Sequence, residues 1–417
     1  MKNKSKSCLI GLAATVMILF LILGSSAASA TPLAIAETKI ANSGNASNAD
    51  IYGNRIVWQD TRSGGNPDIY MYDTATKKET RITKSGSAVN PAIYGNLIAW
   101  SDDRNRNGGD IYTYDLSTKK ETRITSNGSS SNPDVYGNRI VYQRSIWWAQ
   151  DCGIFLYDLS NKKVTQIASD NFYEGGMDGD YYDYTLNTNP ITYGNRIAWE
   201  ESGGGMTDTG NILCIYDLST KKKSTLGSYN YFVSPDIYND RVVWCNWNSD
   251  PKIWTYNFST MSETEITTSE GVSHPHIYGN RIVWGNLIYD LSTKNETKIT
   301  TGGSASNPAI YADRVVWQDS RNGGSDIYLG TLSSKPAIVA SFLASPVTGK
   351  APLKVQFTDK SSGSPTSWSW NFGDKSVSTT KNPSHKYVKA GKYTVSLTAK
   401  NAAGSNTAKK TNYIIVK

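Results

Sequence analysis

Between Tyr142 and Asp250 the chain crowds aromatic side chains and carboxylates into stretches with no counterpart elsewhere in it. They read QRSIWWAQDCG, ASDNFYEGGMDGDYYDYTLNTNPIT, EESGGGMTDTGN, SYNYFVS and CNWNSDP. Trp147, Trp148, Tyr173, Tyr181, Tyr182, Tyr184, Tyr231, Phe232 and Trp247 stand there beside Asp170 and Glu174. Flat rings stack on sugar faces and carboxylates accept hydrogen bonds from hydroxyl groups, so these residues are candidate contacts for a carbohydrate or peptide-like polymer. Asp178, Asp180 and Asp183, in DGDYYD, add oxygen ligands of the kind calcium takes, without the full EF-hand loop pattern. Calcium is therefore the one cofactor candidate.

Catalysis finds less support. The chain has three His, at 274, 276 and 385, where a metal hydrolase would gather several around one ion. It has no GxSxG nucleophile elbow and no phosphate-binding glycine loop. No residue is assigned a catalytic role on this reading. The enzymatic alternative, a lyase or hydrolase acting on extracellular polysaccharide, would draw its acid and base from Glu200, Glu201 or the Asp178 to Asp183 group. His274 and His276 fall in HPHIY, where other copies of the same phrase read NPAIY and NPDVY, which makes them rim residues of a repeated element.

The elements that must carry these residues are repeats. IYGNRIVW at Ile51 recurs, with small changes, at Ile93, Val135, Thr192, Ile237, Ile277 and Ile310. Its tyrosines, Tyr52, Tyr94, Tyr136, Tyr193, Tyr238, Tyr278 and Tyr311, are spaced by 42, 42, 57, 45, 40 and 33 residues. Phrases like DIYTYD and ETRIT recur in step, so each repeat holds four short strands rich in β-branched and aromatic residues. Periods near 40 to 45 residues with that content predict an all-β fold, a seven-bladed β-propeller of four-stranded blades. Gly-Asn between the first two strands suits a two-residue primed turn. Ile56, Val57 and Trp58 are apolar on both faces, as a sheet sandwiched between two neighbours requires. The seventh repeat lacks its fourth phrase, which appears instead as ETKIA, Glu37 to Ala41. The N-terminal strand is thus expected to complete the last blade and close the ring, leaving no gap between first and last sheets.

In such a blade the loops joining strand two to three, and strand four to the next blade, share one face. These are the loops that grow in repeats three to five, so the aromatic residues form a crown there. Only Gly285-Asn286 separates the second and third strands of repeat six, which predicts a notch beside the crown. The DTRSGGNPD type of loop at Asp60, Asp102 and Asp319 reads as an Asp-Arg pair in a Gly-rich hairpin.

The pattern NPxIYGNRIVWxDxRxGxxDIYxYDLxTxxETRIT resembles the TolB-type propeller repeat over about residues 37 to 333. It departs from that family's SPDG turn, having YGN instead. From residue 336 the composition changes, and the remainder resembles a polycystic-kidney-disease-type (PKD) domain, an Ig-like β-sandwich. The residues that carry this are Trp370, Phe372, Gly373 and Asp374 in WNFGD, then Pro383, His385, Tyr387, Gly391, Tyr393, Val395 and Leu397. Lys375 stands where family members usually carry Gly. The resemblance implies an extracellular spacer or adhesion module, with His385 a structural residue. A propeller joined to one PKD domain resembles surface proteins of methanogenic archaea.

Residues 1 to 30 read as a signal peptide: Lys2, Lys4 and Lys6, an apolar run from Cys8 to Gly24, and Ala28-Ser29-Ala30 as a cleavage site. The expected organisation is signal peptide 1–30, propeller 31–335 and PKD domain 336–417, with no membrane span after cleavage. Cys152, Cys214 and Cys245 then remain, an odd number that shows no disulfide framework and reads as buried filler. Asn45, Asn127, Asn257 and Asn295 begin glycosylation sequons. Residues 31 to 335 hold 28 basic and 34 acidic groups, a net of −6, whereas 336 to 417 hold twelve Lys, no Arg and two Asp, a net of +10. Isolated lysines on an exported chain argue against a nucleic-acid partner. The expectation is a secreted or cell-surface binding and adhesion protein whose partner is extracellular polysaccharide or a cell-envelope protein. A purely structural surface-layer subunit is a further alternative.

Overall fold

IYGNRIVW folds as a hairpin. Ala46–Tyr52 and Arg55–Asp60 pair antiparallel with Tyr52 opposite Arg55, and Gly53 in the turn has φ +60, the left-handed region such a turn demands. Ile56 and Trp58 enter one cluster with Val316 and Ile327 of the last repeat. Val57, between them, enters another with Ile98 and Trp100 of the next repeat. Successive side chains of a strand point to opposite faces, so each sheet is glued to a neighbour on both sides.

The computed structural model describes residues 33 to 417, apart from 107, 146 to 151, 175 to 181, 205 to 209, 231 to 233, 247 to 250, 267 to 271, 335 to 337 and 402 to 403. The body is a β-propeller. Its described residues form seven sheets, whose inner strands are Ala46–Tyr52, Ala88–Tyr94, Ser130–Tyr136, Tyr182–Tyr193, Asp236–Tyr238, His276–Tyr278 and Ala305–Tyr311. Tyr52, Tyr94, Tyr136, Tyr193, Tyr238, Tyr278 and Tyr311 touch in that cyclic order, with ring centroids 4.4 to 5.0 Å apart, and Tyr311 returns to Tyr52. The circle of sheets is closed.

The N-terminal strand Leu33–Lys39 pairs along its whole length with Asp326–Ser334, and so forms the outer edge of the last sheet. The equivalence extends to side chains. In the first sheet Arg62 binds buried Asp60 at 2.6 Å and Glu79 of the outer strand at 2.8 Å, while Trp58 Nε1 donates to Asp60 at 3.2 Å. Arg104 repeats this with Asp102 and Glu121. Arg321 repeats it with Asp319 and with Glu37, contributed by the N-terminal strand, at 3.0 Å. Burial opposes ionisation of Asp60, Asp102 and Asp319, but their arginine and backbone partners outweigh it and hold all three below the usual carboxylate range.

One sheet departs from the four-strand expectation. In the fourth repeat Asn171–Glu174 adds a fifth strand, paired with the start of Tyr182–Tyr193. The hairpin Tyr182–Tyr193 and Arg196–Gly204 stays paired out to Tyr184 opposite Gly204, whereas the first sheet's hairpin ends at Ala46 opposite Asp60. Asn187, opposite Glu201, matches Ala46 in position, so this hairpin continues past the level where its neighbour stops.

The C-terminal residues form a β-sandwich of two sheets. Phe342–Ser345, Leu353–Asp359 and Ser384–Tyr387 make one; Ser367–Asn371, Gly391–Asn401 and Gly404–Val416, flanked by two short strands, make the other. Trp370, Phe372 and Tyr387 lie in its buried core. His385 stacks on Phe372 at 4.3 Å and its Nε2 lies 2.7 Å from Asp374, a structural role. Lys375 takes the left-handed conformation, φ +78, at the position where glycine is usual. Cys152, Cys214 and Cys245 are buried and unbridged. No helix among the described residues is long and apolar enough to cross a membrane.

Candidate functional site

The inner strands surround a channel of about 540 Å³. Residues 48 to 52 and their counterparts in the other inner strands line it, and the alternate positions Asn48, Asp50 and Tyr52 stand at three successive levels along the strand. Five of the seven inner strands carry Asn at the first level: Asn48, Asn90, Asn132, Asn189 and Asn307. Each adopts φ between +45 and +53, and in each the pairing register shifts just there. Asn tolerates the left-handed region better than other side chains, which is why a bulge repeated around a ring recruits it.

The bulge frees three of these side chains to reach the next Asn, whereas Asn307 Nδ2 donates to Gln318 Oε1 of its own sheet at 2.9 Å. Asn48 Nδ2 donates to Asn90 Oδ1 at 2.8 Å, Asn90 to Asn132 at 2.6 Å, and Asn132 to Asn189 at 3.2 Å. Asn189 Nδ2 ends the series on Glu200 Oε2 at 3.2 Å. Four amides thus point the same way, toward one carboxylate, and dipoles so aligned polarise one another. The bulged backbone is tied down in parallel: Gln59, Ser101 and Gln143, at the ends of second strands, accept from the N–H of Asn90, Asn132 and Asn189. Glu200 occupies the same position in the fourth sheet and Cys245 in the fifth, where the sulfur takes the N–H of His274.

The amide ring breaks after Glu200. Ser234 and His274 replace Asn in the fifth and sixth sheets, and Gly285-Asn286 forms the short link of the sixth. Glu200 is buried; burial pushes its carboxyl up, against the pull of Asn189 and Asn211. Burial and then the nearby His276 push His274 down from the ordinary imidazole value.

At the second level the residues alternate in kind: Asp50, Ala92, Asp134, Ile191, Asp236, His276 and Ala309. Each aspartate accepts a backbone N–H from the next sheet, Asp50 from Ile93 at 2.8 Å, Asp134 from Thr192 at 2.6 Å and Asp236 from Ile277 at 2.8 Å. Burial, with Asp50 and Asp236 as like-charged neighbours, holds the Asp134 carboxyl up at about 7. Burial works against protonation of His276, but Asp236, 3.5 Å away, and the other two aspartates raise it overall. The tyrosine ring closes the third level.

Of the residues singled out from the sequence, Trp147, Trp148, Tyr181, Tyr231, Phe232, Trp247, Asp178 and Asp180 lie outside the described residues. Tyr173 and Glu174 lie on the extra strand of the fourth sheet, opposite Asp183 and Tyr182 respectively, in paired backbone where a loop was expected. Tyr184 is 40% exposed. Asp170 is 8% exposed, and its Oδ1 accepts from both the backbone and side-chain nitrogens of Asn187, so its carboxylate pins the hairpin. Glu201 is paired with Lys223. Among the described residues no group of three or more His, Cys, Asp or Glu is placed to hold a metal ion. The asparagine ring escaped the sequence reading. Its signal was the Asn-Pro that opens several copies of the inner strand and fails at SPDIY and HPHIY.

Residues 333–416 match the PKD domain family. A stretch of 74 residues is 36% identical to collagenase ColA of Bacillus cereus, covering 17% of this chain and 8% of that protein; the chain therefore spans under a tenth of that relative's length. Among solved structures, oligogalacturonate lyase in complex with manganese superposes with a TM-score of 0.52 at 13% identity, over 72% of this chain and 97% of that one. An acylaminoacyl peptidase of Pyrococcus horikoshii does so with a TM-score of 0.51 at 11% identity, over 75% and 57%. TolB from Acinetobacter baumannii gives 0.39 at 18% identity over 52% of each chain. At these identities the likeness is one of fold. The chain is an all-β protein with a propeller body and a C-terminal PKD domain.

Proposed function

We propose that the protein works outside the cell as a non-enzymatic binding protein, the propeller being the ligand platform and the PKD domain a spacer. The observation that carries this is the interrupted amide ring. Asn48, Asn90, Asn132, Asn189 and Glu200 form one hydrogen-bonded series, and it is open across the fifth to seventh sheets, where Ser234 and His274 replace Asn and Asn307 turns to Gln318. Asn48, Asn189 and His274 are exposed, so donors and acceptors stand fixed at the mouth of the channel. A hydroxyl-rich chain end, as in a glycan or envelope polymer, offers both donors and acceptors to such a gap, and fixed polar groups lose little freedom on binding it. The PKD match and the collagenase segment support the extracellular setting.

A screen of the full chain against glycans and cell-envelope fractions tests this. Asn132→Ala removes the link between Asn90 and Asn189 and is expected to weaken binding about tenfold, as for loss of one or two ligand-facing hydrogen bonds. Unchanged binding in that variant would remove the ring from the site. The enzymatic alternative keeps Glu200 and the Asp178 to Asp183 group as its acid and base, whereas Glu201 is paired with Lys223. Release of fragments from a polysaccharide, abolished in Glu200→Gln, would reverse the ranking.

A further inference from the structure

The PKD domain displays an unneutralised cationic face. Lys354 and Lys386 are direct cross-strand partners in the sheet of Phe342–Ser345, Leu353–Asp359 and Ser384–Tyr387, and both side chains are exposed. Like charges directly opposite one another weaken a sheet, so this pair has no folding rationale. Gln356 is exposed on the same face, two residues along from Lys354, and Lys389 is exposed just beyond the end of Ser384–Tyr387. The domain offers them no counter-ion. Asp359 accepts the indole N–H of Trp368 at 2.9 Å, and Asp374 is held by His385. Among the described residues that His385 contact is the domain's one close approach of a basic and an acidic side chain.

We propose that this lysine face is a second binding surface, for an anionic extracellular polysaccharide whose carboxylates bridge Lys354 and Lys386. Charge complementarity selects the occupant. The PKD region carries twelve Lys against two Asp, and a polyanion relieves the Lys354–Lys386 repulsion. A second copy of this chain is the poorer partner despite its acidic body. Asp60, Asp68, Asp102, Asp110, Asp319 and Asp326 of that body are consumed by its own Arg and Lys. The absence of Arg also disfavours phosphate, which the planar guanidinium grips in two places whereas lysine acts as a point charge. This surface is independent of the channel mouth.

The test is retention of the full chain on immobilised alginate, with neutral dextran, single-stranded DNA and phosphatidylglycerol vesicles in parallel. Retention on alginate is expected to fall as salt rises and to drop about fivefold to tenfold in Lys354→Gln/Lys386→Gln, the range two exposed ion pairs supply. Lys400→Gln/Lys409→Gln removes the same charge from the other sheet and is expected to leave retention near the parent value. An equal drop in both double variants would show diffuse attraction and overturn the assigned face. Equal retention on dextran, tighter retention on DNA or vesicles, or no retention on alginate would each overturn the proposed ligand.

Discussion

Asp134 shows how one residue is placed under tension by its neighbours. Its side chain caps the backbone N–H of Thr192, which a neutral amide oxygen would do as well. The carboxylate form is disfavoured by burial and by Asp50 and Asp236, so its pKa rises to about 7 from the ordinary value near 4. The folded state then keeps a proton that the unfolded chain has released. Stability from this residue is complete below about pH 4 and falls as pH rises through about 7. Asp134→Asn is therefore expected to remove that decline and to be more stable at pH 8 by about 1–2 kcal/mol, a figure discounted for solvent screening in an open channel. Urea midpoints of both proteins from pH 4 to 8 decide it; parallel curves would show that the carboxylate is already well compensated.

The closing strand makes the same point for an element. Leu33–Lys39 contributes a full set of ladder partners to Asp326–Ser334, Glu37 to the Arg321 pair and Lys39 to Asp326 at 2.7 Å. Ile35 packs with Trp317 and Leu332 in the cluster joining the sixth and seventh sheets. A chain beginning at Ser43 would leave Asp326–Ser334 as an unpaired edge, a template for association with another chain. It is expected to lose at least about 3 kcal/mol, the cost of one large core side chain, and to self-associate on gel filtration. A truncated chain that stays monomeric with an unchanged midpoint would show that closure is dispensable. The fourth sheet is the converse case: its extra strand and long hairpin carry paired backbone past the level at which the first sheet's hairpin stops.

At the scale of the whole molecule, the propeller and PKD cores share no cluster among the described residues. The PKD core of Phe342, Trp370, Phe372, Tyr387 and their neighbours is complete within residues 342 to 416, while each propeller cluster spans two adjacent sheets. Residues 338 to 417 are accordingly expected to fold alone, with a dispersed spectrum and a thermal transition that matches one of two transitions of the full chain. A fragment without a cooperative transition would show that the propeller is needed to hold it. A separately folding module is what the proposed spacer role requires, since tension or crowding at one end need not disturb the proposed ligand platform at the other.

Much of this was legible because it is local or periodic. Gly53-Asn54, the both-face burial of Ile56, Val57 and Trp58, the displaced outer phrase at Glu37 and the Trp370 to Asp374 motif each speak through residues close in sequence or in a fixed period. The environment of Asp170 was not legible: its type suits a surface loop, and the approach of Asn187, seventeen residues on, buries it. The asparagine ring and Glu200 depend on contacts over 42 and 57 residues between neighbouring sheets and on the break at Ser234 and His274. The sequence by itself determined most of the strands, the turns and the second domain, since hydrophobic period and turn chemistry act within a few residues. Tertiary structure decided which polar groups meet, because a closed ring alone brings the same position of each repeat to a common axis and there sets one carboxylate against another.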